Sequence, residues 1–250
     1  MVSISGMAEH HQNCACAALL HEDSDALAEH LSKAVHLRAL LARFYAAIPV
    51  LDTGVIALSY NASTALDLAA PTMLGDWPQG ETCAKVLLSA GESEMARDPD
   101  HRRTHSWGRG TVAAFIIEFL ASEYRLSHRY SPQVPLASEY VKLLSAFRET
   151  DKNVYEGAMR AAIARHVRES KETSRFKPPS DFHNDFHRFF PVELLSIQAI
   201  RRRDGLPEFD TKHPLVDMPW SLLRTATCFS RMEIAGRVEM RLRLQYSRFV

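Results

Sequence analysis

LASEYVKLLSAFRETDKNVYEGAMRAAIARHVRES, residues 136–170, is the stretch whose reading decides the fold. Leu136, Tyr140, Leu143, Leu144 and Phe147 recur at helical spacing. After the break Glu149-Thr150-Asp151 the period returns in Tyr155, Met159, Ala162 and His166. Apolar residues three and four apart line one side of an α-helix, so the spacing predicts helices over 136–147 and 153–170. So short a break lets two consecutive helices lie back to back. A third segment, 189–203, places Phe190, Leu194 and Ile197 on one side, then runs into Gly205-Leu206-Pro207 and His213-Pro214-Leu215. The expected fold is all-α: antiparallel helix pairs stacked in a bundle or solenoid-like layer arrangement. Nothing in the stretch is a catalytic signature.

Working outward, Asp23 or Ser24 can cap a helix reaching Ala47, with Leu27, Leu31, Val35, Leu40 and Phe44 along its stripe and Pro49 beyond its end. A helix over 53–69 is expected to end before Pro71, because proline disrupts helix interiors. Gly75-Asp76-Trp77-Pro78 is turn chemistry. Residues 80–96 read as a weaker helix interrupted at Ala90-Gly91, and 98–104 as a charged loop. Residues 106–128 are apolar nearly all round (Val112, Phe115, Ile116, Phe119, Leu120, Tyr124), which predicts the most buried element. Residues 170–181 read as a loop, with helix starts near Asp181 and Pro191. The polar residues 1–22 read as a loosely held arm, and 23–250 as one helical domain. Near the end, Val238, Met240, Leu242, Leu244 and Tyr246 alternate with polar neighbours. Strict period two predicts a strand within 231–250, paired with 231–234 or with Val2 and Ile4; a helix is the alternative.

A chain of 250 residues with 46% hydrophobic and 24% charged residues can bury a real core and is not compositionally disordered. No apolar run reaches the roughly 18 residues of a membrane helix, and residues 1–11 lack a signal-peptide pattern. Four cysteines without framework spacing point to reduced thiols. The expectation is therefore a cytoplasmic protein with no membrane partner. Net charge is zero, yet residues 1–100 hold 5 Lys and Arg against 13 Asp and Glu, a net −8, and the remainder carries +8. Such asymmetry either closes on itself across an interface or faces a partner of opposite sign.

Candidate chemistry is sparse. His183 and His187 stand four apart with Asp185 between them, a spacing that would suit a metal on one helix face, with His166 or His213 as recruits. A metalloprotease needs Glu directly after the first histidine, and Asn184 stands there. A polar-face or partly buried role beside Phe186, Phe189 and Phe190 outweighs the metal reading. Cys14-Ala15-Cys16 beside His10 and His11 has no second cysteine pair to complete a zinc site. No Gly-x-Ser-x-Gly elbow occurs, and Trp107-Gly108-Arg109-Gly110 lacks phosphate-loop spacing. Arg201-Arg202-Arg203 closes a helix, where cations offset the helix dipole, and that structural reading outweighs nucleic-acid binding. The residues thus assign no catalytic group, metal or cofactor; a hydrolase on His183, His187 and Asp185 and a helical nucleic-acid-binding regulator are the alternatives.

Four segments carry a resemblance: Ser145-Ala146-Phe147-Arg148-Glu149-Thr150-Asp151 with Tyr155 and Ala158, Arg188 to Leu195, Arg203-Asp204-Gly205-Leu206-Pro207, and His213-Pro214-Leu215. Over roughly residues 105–220 the layout resembles bacterial polymorphic-toxin immunity proteins, nearest to the helical group called immunity protein family 49. The resemblance implies a stoichiometric inhibitor that binds a cognate toxin domain in the producer's cytosol, with no catalytic residues of its own. Many such toxins are nucleases with basic clefts, so the acidic set Glu92, Glu94, Asp98 and Asp100, with the turn Asp76-Trp77, is expected to face the toxin. Oligomeric state is not specified by any of these features.

Overall fold

The computed structural model describes residues 3–48, 62–97, 111–132, 134–171, 181–182, 184–225 and 232–250, Glu94 and Arg97 by backbone alone. The described residues form eleven helices and no strand. They are α1 (Ile4–Leu20), α2 (Ser24–Ala47), α3 (Ala62–Met73), α4 (Trp77–Arg97), α5 (Val112–Tyr124), α6 (Ser138–Ala146), α7 (Lys152–Glu169), α8 (Asp185–Phe189), α9 (Val192–Arg203), α10 (Pro214–Thr225) and α11 (Glu233–Gln245). The all-α expectation holds.

Three sequential pairs pack as hairpins: α1 on α2, α3 on α4 and α6 on α7. Their turns are set locally. Asp23 accepts from the Ala26 N–H at 3.0 Å to start α2, and Asp151 accepts from Asn153 at 2.8 Å to start α7. Gly75, at φ +73°, takes the left-handed conformation that ends α3. Helix α3 is the hub, packing on α2, α4, α5 and α9. Helix α5 is buried throughout its apolar run from Val112 to Leu120 apart from the half-buried Glu118, as its composition predicts.

Helix α9 differs from its expected one-sided stripe. Every residue from Val192 to Arg201 is buried, polar ones included. Some of those polar groups have partners on neighbouring elements: the Tyr155 hydroxyl donates to Gln198 Oε1 at 3.1 Å, and His166 Nδ1 lies 2.6 Å from Glu193 Oε1, whereas Ser196 Oγ and Glu193 Oε2 have none among the described residues. Arg201 donates to the carbonyls of Phe147 (2.7 Å), Glu149 (2.9 Å) and Pro207 (2.7 Å), and its guanidinium lies 3.9 Å from the Tyr155 ring centroid. This one side chain ties the α6–α7 turn to the turn after α9, where Gly205 sits at φ +67°.

Four expectations are corrected. Residues 4–20 are not a loose arm but a helix, capped by Ser3 and docked on α2 through Ala8, Gln12, Ala15, Ala18 and Leu19. Its stripe is alanine, which lets two backbones approach closely but gives little apolar signal. Gln12 Oε1 accepts from Arg38 twice, at 3.1 and 2.7 Å. Helix α3 continues through Pro71, which stands in its last turn where only the final hydrogen bonds are disturbed; residues 53–61 of the expected helix lie outside the described residues. Helix α4 is unbroken because Gly91 is a contact point: a Cβ there would come within 2.9 Å of Ile117 Cδ1. The expected C-terminal strand is helix α11. Ala235, Val238, Leu242 and Tyr246 share a helical face that packs with Leu40, Phe44, Ala47 and Phe249, while Met240 and Leu244 point out, 65% and 85% exposed. The alternation arises because Val238, Leu242 and Tyr246, four apart, also fall on the even positions. The charged loop 98–104 and residues 106–110 lie outside the described residues. No described helix is long and apolar enough to cross a membrane.

Candidate functional site

The α3–α4 turn, the end of α9 and the face of α10 enclose an open cleft of about 420 Å³. The turn contributes Met73, Leu74, Gly75 and Trp77; α9 contributes Ala199, Arg202 and Arg203; α10 contributes Trp220, Leu223 and Arg224. Helical spacing explains the α10 wall, since Val216, Trp220 and Leu223 share the buried side and Arg224 follows at its edge. The volume falls within the ~300–1,000 Å³ range of ligand-sized clefts.

The three arginines are not equivalent. Arg203 lies 4.6 Å over the Trp77 ring and is held by Glu123 Oε1 at 2.5 Å and Asp204 Oδ1 at 2.7 Å. Burial works against its charge, but the bonds to Asp204 and Glu123 outweigh it and raise the guanidinium above its ordinary range. Arg224 Nη1 stands 3.9 Å from Glu208 Oε2, the oxygen that accepts from Trp220 Nε1 at 3.1 Å. Arg202 donates from Nη1 to the Arg224 carbonyl at 2.8 Å and has no carboxylate partner among the described residues. The cleft is therefore an apolar slot with one rim of available N–H donors.

The residues expected to face a toxin are placed apart. Asp76 Oδ2 lies 3.2 Å from His36 Nε2, and its Oδ1 accepts from the Gln79 N–H at the start of α4. Trp77, its neighbour, opens on the arginine-lined cleft. Glu92 Oε1 accepts from the Arg129 backbone N–H at 2.6 Å. The Glu94 side chain, Asp98 and Asp100 lie outside the described residues.

The metal candidates are also separated. His187 is buried, with Nε2 3.2 Å from Asp67 Oδ1 on α3, whereas the Asp185 side chain is 80% exposed and paired with Arg188. His183 lies outside the described residues. His166 is engaged by Glu193, and His213 Nδ1 accepts from the Leu215 N–H. Among the described residues no three His, Cys, Asp or Glu side chains are placed to share an ion. His36–Asp76, His187–Asp67 and His166–Glu193 instead join α2 to the α3–α4 turn, α8 to α3 and α7 to α9. Around the last pair lies a buried polar network. Asp181 accepts from the Val112 N–H at 3.1 Å, lies 3.6 Å from Arg165, and has its carboxyl raised by burial against both partners. Burial pushes the Cys83 thiol up to about 12 and the Cys16 thiol up to about 11, the second assisted by the Asp185 carboxylate. Neither is an activated nucleophile at neutral pH. Cys14 stands 3.7 Å from His10 on α1, and Cys228 lies outside the described residues.

The sequence reading singles out Trp77 and the arginine triplet but not Trp220, Leu223 or Arg224. The signal that could have found them is the α10 stripe, and only the fold shows that it faces the α3–α4 turn. In comparisons with known proteins, the chain matches no family model, no curated protein and no solved structure.

Proposed function

We propose that this chain acts by occupying another protein, as a stoichiometric inhibitor of a cognate antibacterial toxin domain in the manner of the immunity proteins it resembles. One observation carries the reading: two indoles and an arginine without a carboxylate partner among the described residues share an open concavity, on a scaffold whose buried histidines His36, His166 and His187 are engaged in ties between elements. Tryptophan and arginine dominate the energetics of protein interfaces, where a rigid aromatic surface and a planar donor fork give much contact for little ordering cost. The hydrolase alternative loses its spacing argument, because His187 and Asp185 point to different partners. The nucleic-acid alternative loses cations, because Arg201 is buried and Arg203 is bound to two carboxylates.

On this reading the stacked helix pairs form a rigid support, and the protein works in the cytosol of the cell that makes a secreted effector such as a nuclease. The test is co-expression with the C-terminal toxin domain encoded by the adjacent reading frame. The expected result is restored growth and a one-to-one complex on size exclusion with light scattering, both weakened by Arg202→Glu. Growth arrest unrelieved by the wild-type chain overturns the proposal.

A further inference from the structure

The geometry points to the chemistry of the partner's anchor: an aromatic side chain followed directly by a single carboxylate, seated in the cleft that Trp77 and Trp220 line, with its acid on Arg202. This rests on the protein-binding reading above and deepens it. The side chains of Met73, Leu74 and Leu223 offer no hydrogen bond, so a ring laid against them buries apolar area. Ring against indole is also the contact in which offset or edge geometry adds to burial.

Charge sets the acid. Three arginines line the cleft, and Glu123, Asp204 and Glu208 stand against two of them. Arg148 also pairs with Glu123 and Asp204, so the cluster sets four cations against three carboxylates and keeps one positive charge in excess. The available donors belong to Arg202, which uses one nitrogen on the Arg224 carbonyl. A monoanion can take those donors as a planar fork. One excess charge is neutralised by a monoanion, whereas a dianionic phosphate or a polyphosphate backbone would leave the site negative. The same rim therefore selects a carboxylate and disfavours nucleic acid.

The experiment titrates the full chain with the acetylated, amidated peptide Gly-Phe-Asp-Gly and follows the indole N–H signals of Trp77 and Trp220 by NMR. Controls are the same peptide with Asn for Asp, and with Ala for Phe. The Phe-Asp peptide should shift both indoles saturably, and either replacement should weaken it about tenfold. Arg202→Gln should lower the Phe-Asp peptide to the Phe-Asn level while leaving the Phe-Asn peptide unchanged. Arg202 is exposed, and an unchanged far-UV spectrum and melting temperature verify that the variant folds. Equal binding of the Asp and Asn peptides, no saturable shift at millimolar peptide, or displacement by inorganic phosphate at lower concentration than by peptide would each overturn the inference. Failure here with growth protection intact removes the ligand class and leaves the inhibitory role. Lost protection with peptide binding intact does the reverse.

Discussion

At the scale of single residues, the triplet 201–203 divides into three roles within one turn of helix. Arg201 is 0% exposed and holds three backbone carbonyls, Arg203 is bound to Glu123 and Asp204, and Arg202 reaches the cleft. Arg201→Ala should cost about 3 kcal/mol in urea denaturation, because a buried carbonyl left without its donor retains its full desolvation penalty. Arg202→Ala should stay within about 0.5 kcal/mol of wild type, as exposed substitutions away from such ties do. Reversed magnitudes would put Arg202, and not Arg201, in the interior. This division was partly legible, since Leu194, Ile197 and Arg201 continue one stripe at i, i+3 and i+7. A polarity rule hides it, because it places every arginine outside. Gly80 is a similar case: a Cβ there would overlap the Tyr124 hydroxyl and come within 2.7 Å of Thr72 Oγ1. Gly80→Ala should therefore destabilise by about 1–3 kcal/mol despite the better helix propensity of alanine.

At the scale of elements, the helices read from long apolar stripes hold and those with weak or misleading stripes do not. Helices α2, α6 and α7 follow their spacing closely, while α5 ends at Tyr124, short of the expected 128, because Arg125 takes a left-handed conformation at φ +53°. Helix α1 escapes because its contact face is alanine, and α11 because its buried positions coincide with an alternating pattern. The helix makes a prediction that a strand would not. Leu242→Ala should cost about 1–2 kcal/mol and Leu244→Ala almost nothing, since only Leu242 packs on α2. In a strand the two would share a face. The docking of α11 also has a charged clasp: Arg43, itself buried, donates to Glu239 Oε1 at 2.7 Å and to the Val250 carbonyl at 2.6 Å. Burial raises the Glu239 carboxyl, but bonds from Arg43 and Arg243 outweigh it and hold it below the ordinary range. A depressed carboxyl stabilises the folded state above its unfolded value of about 4.3. That contribution is lost as the pH falls through the lower folded value. The stability gap between wild type and Glu239→Gln should be constant above about pH 5.5 and close as the pH falls below 4. A gap that persists unchanged at low pH would separate Glu239 from this clasp.

At the scale of the whole molecule, the site is a product of topology. Trp77, Arg202 and Trp220 lie on three helices, and no spacing along the chain connects them. The charge asymmetry between the chain's two parts is likewise not a map of two surfaces, because Asp67 and Asp76 of the acidic part are turned to buried histidines and Glu92 to a backbone N–H. With zero net charge overall, long-range steering of a partner should be weak. Association through the cleft should then proceed at an unsteered rate of about 10⁵–10⁶ M⁻¹s⁻¹ and fall by no more than about threefold between 0.05 and 0.5 M salt. Stopped-flow mixing with the toxin domain measures it, and the change on Arg202→Gln should fall mainly on the dissociation rate, as for an anchor that forms after encounter. An interface built on the acidic set would behave otherwise: several like charges would accelerate encounter with a basic partner and lose that advantage steeply in salt. A tenfold or larger loss of association rate over that range, reproduced by reversing Glu92 and Glu94 and not by changing Arg202, would move the docking surface from the cleft to the acidic residues.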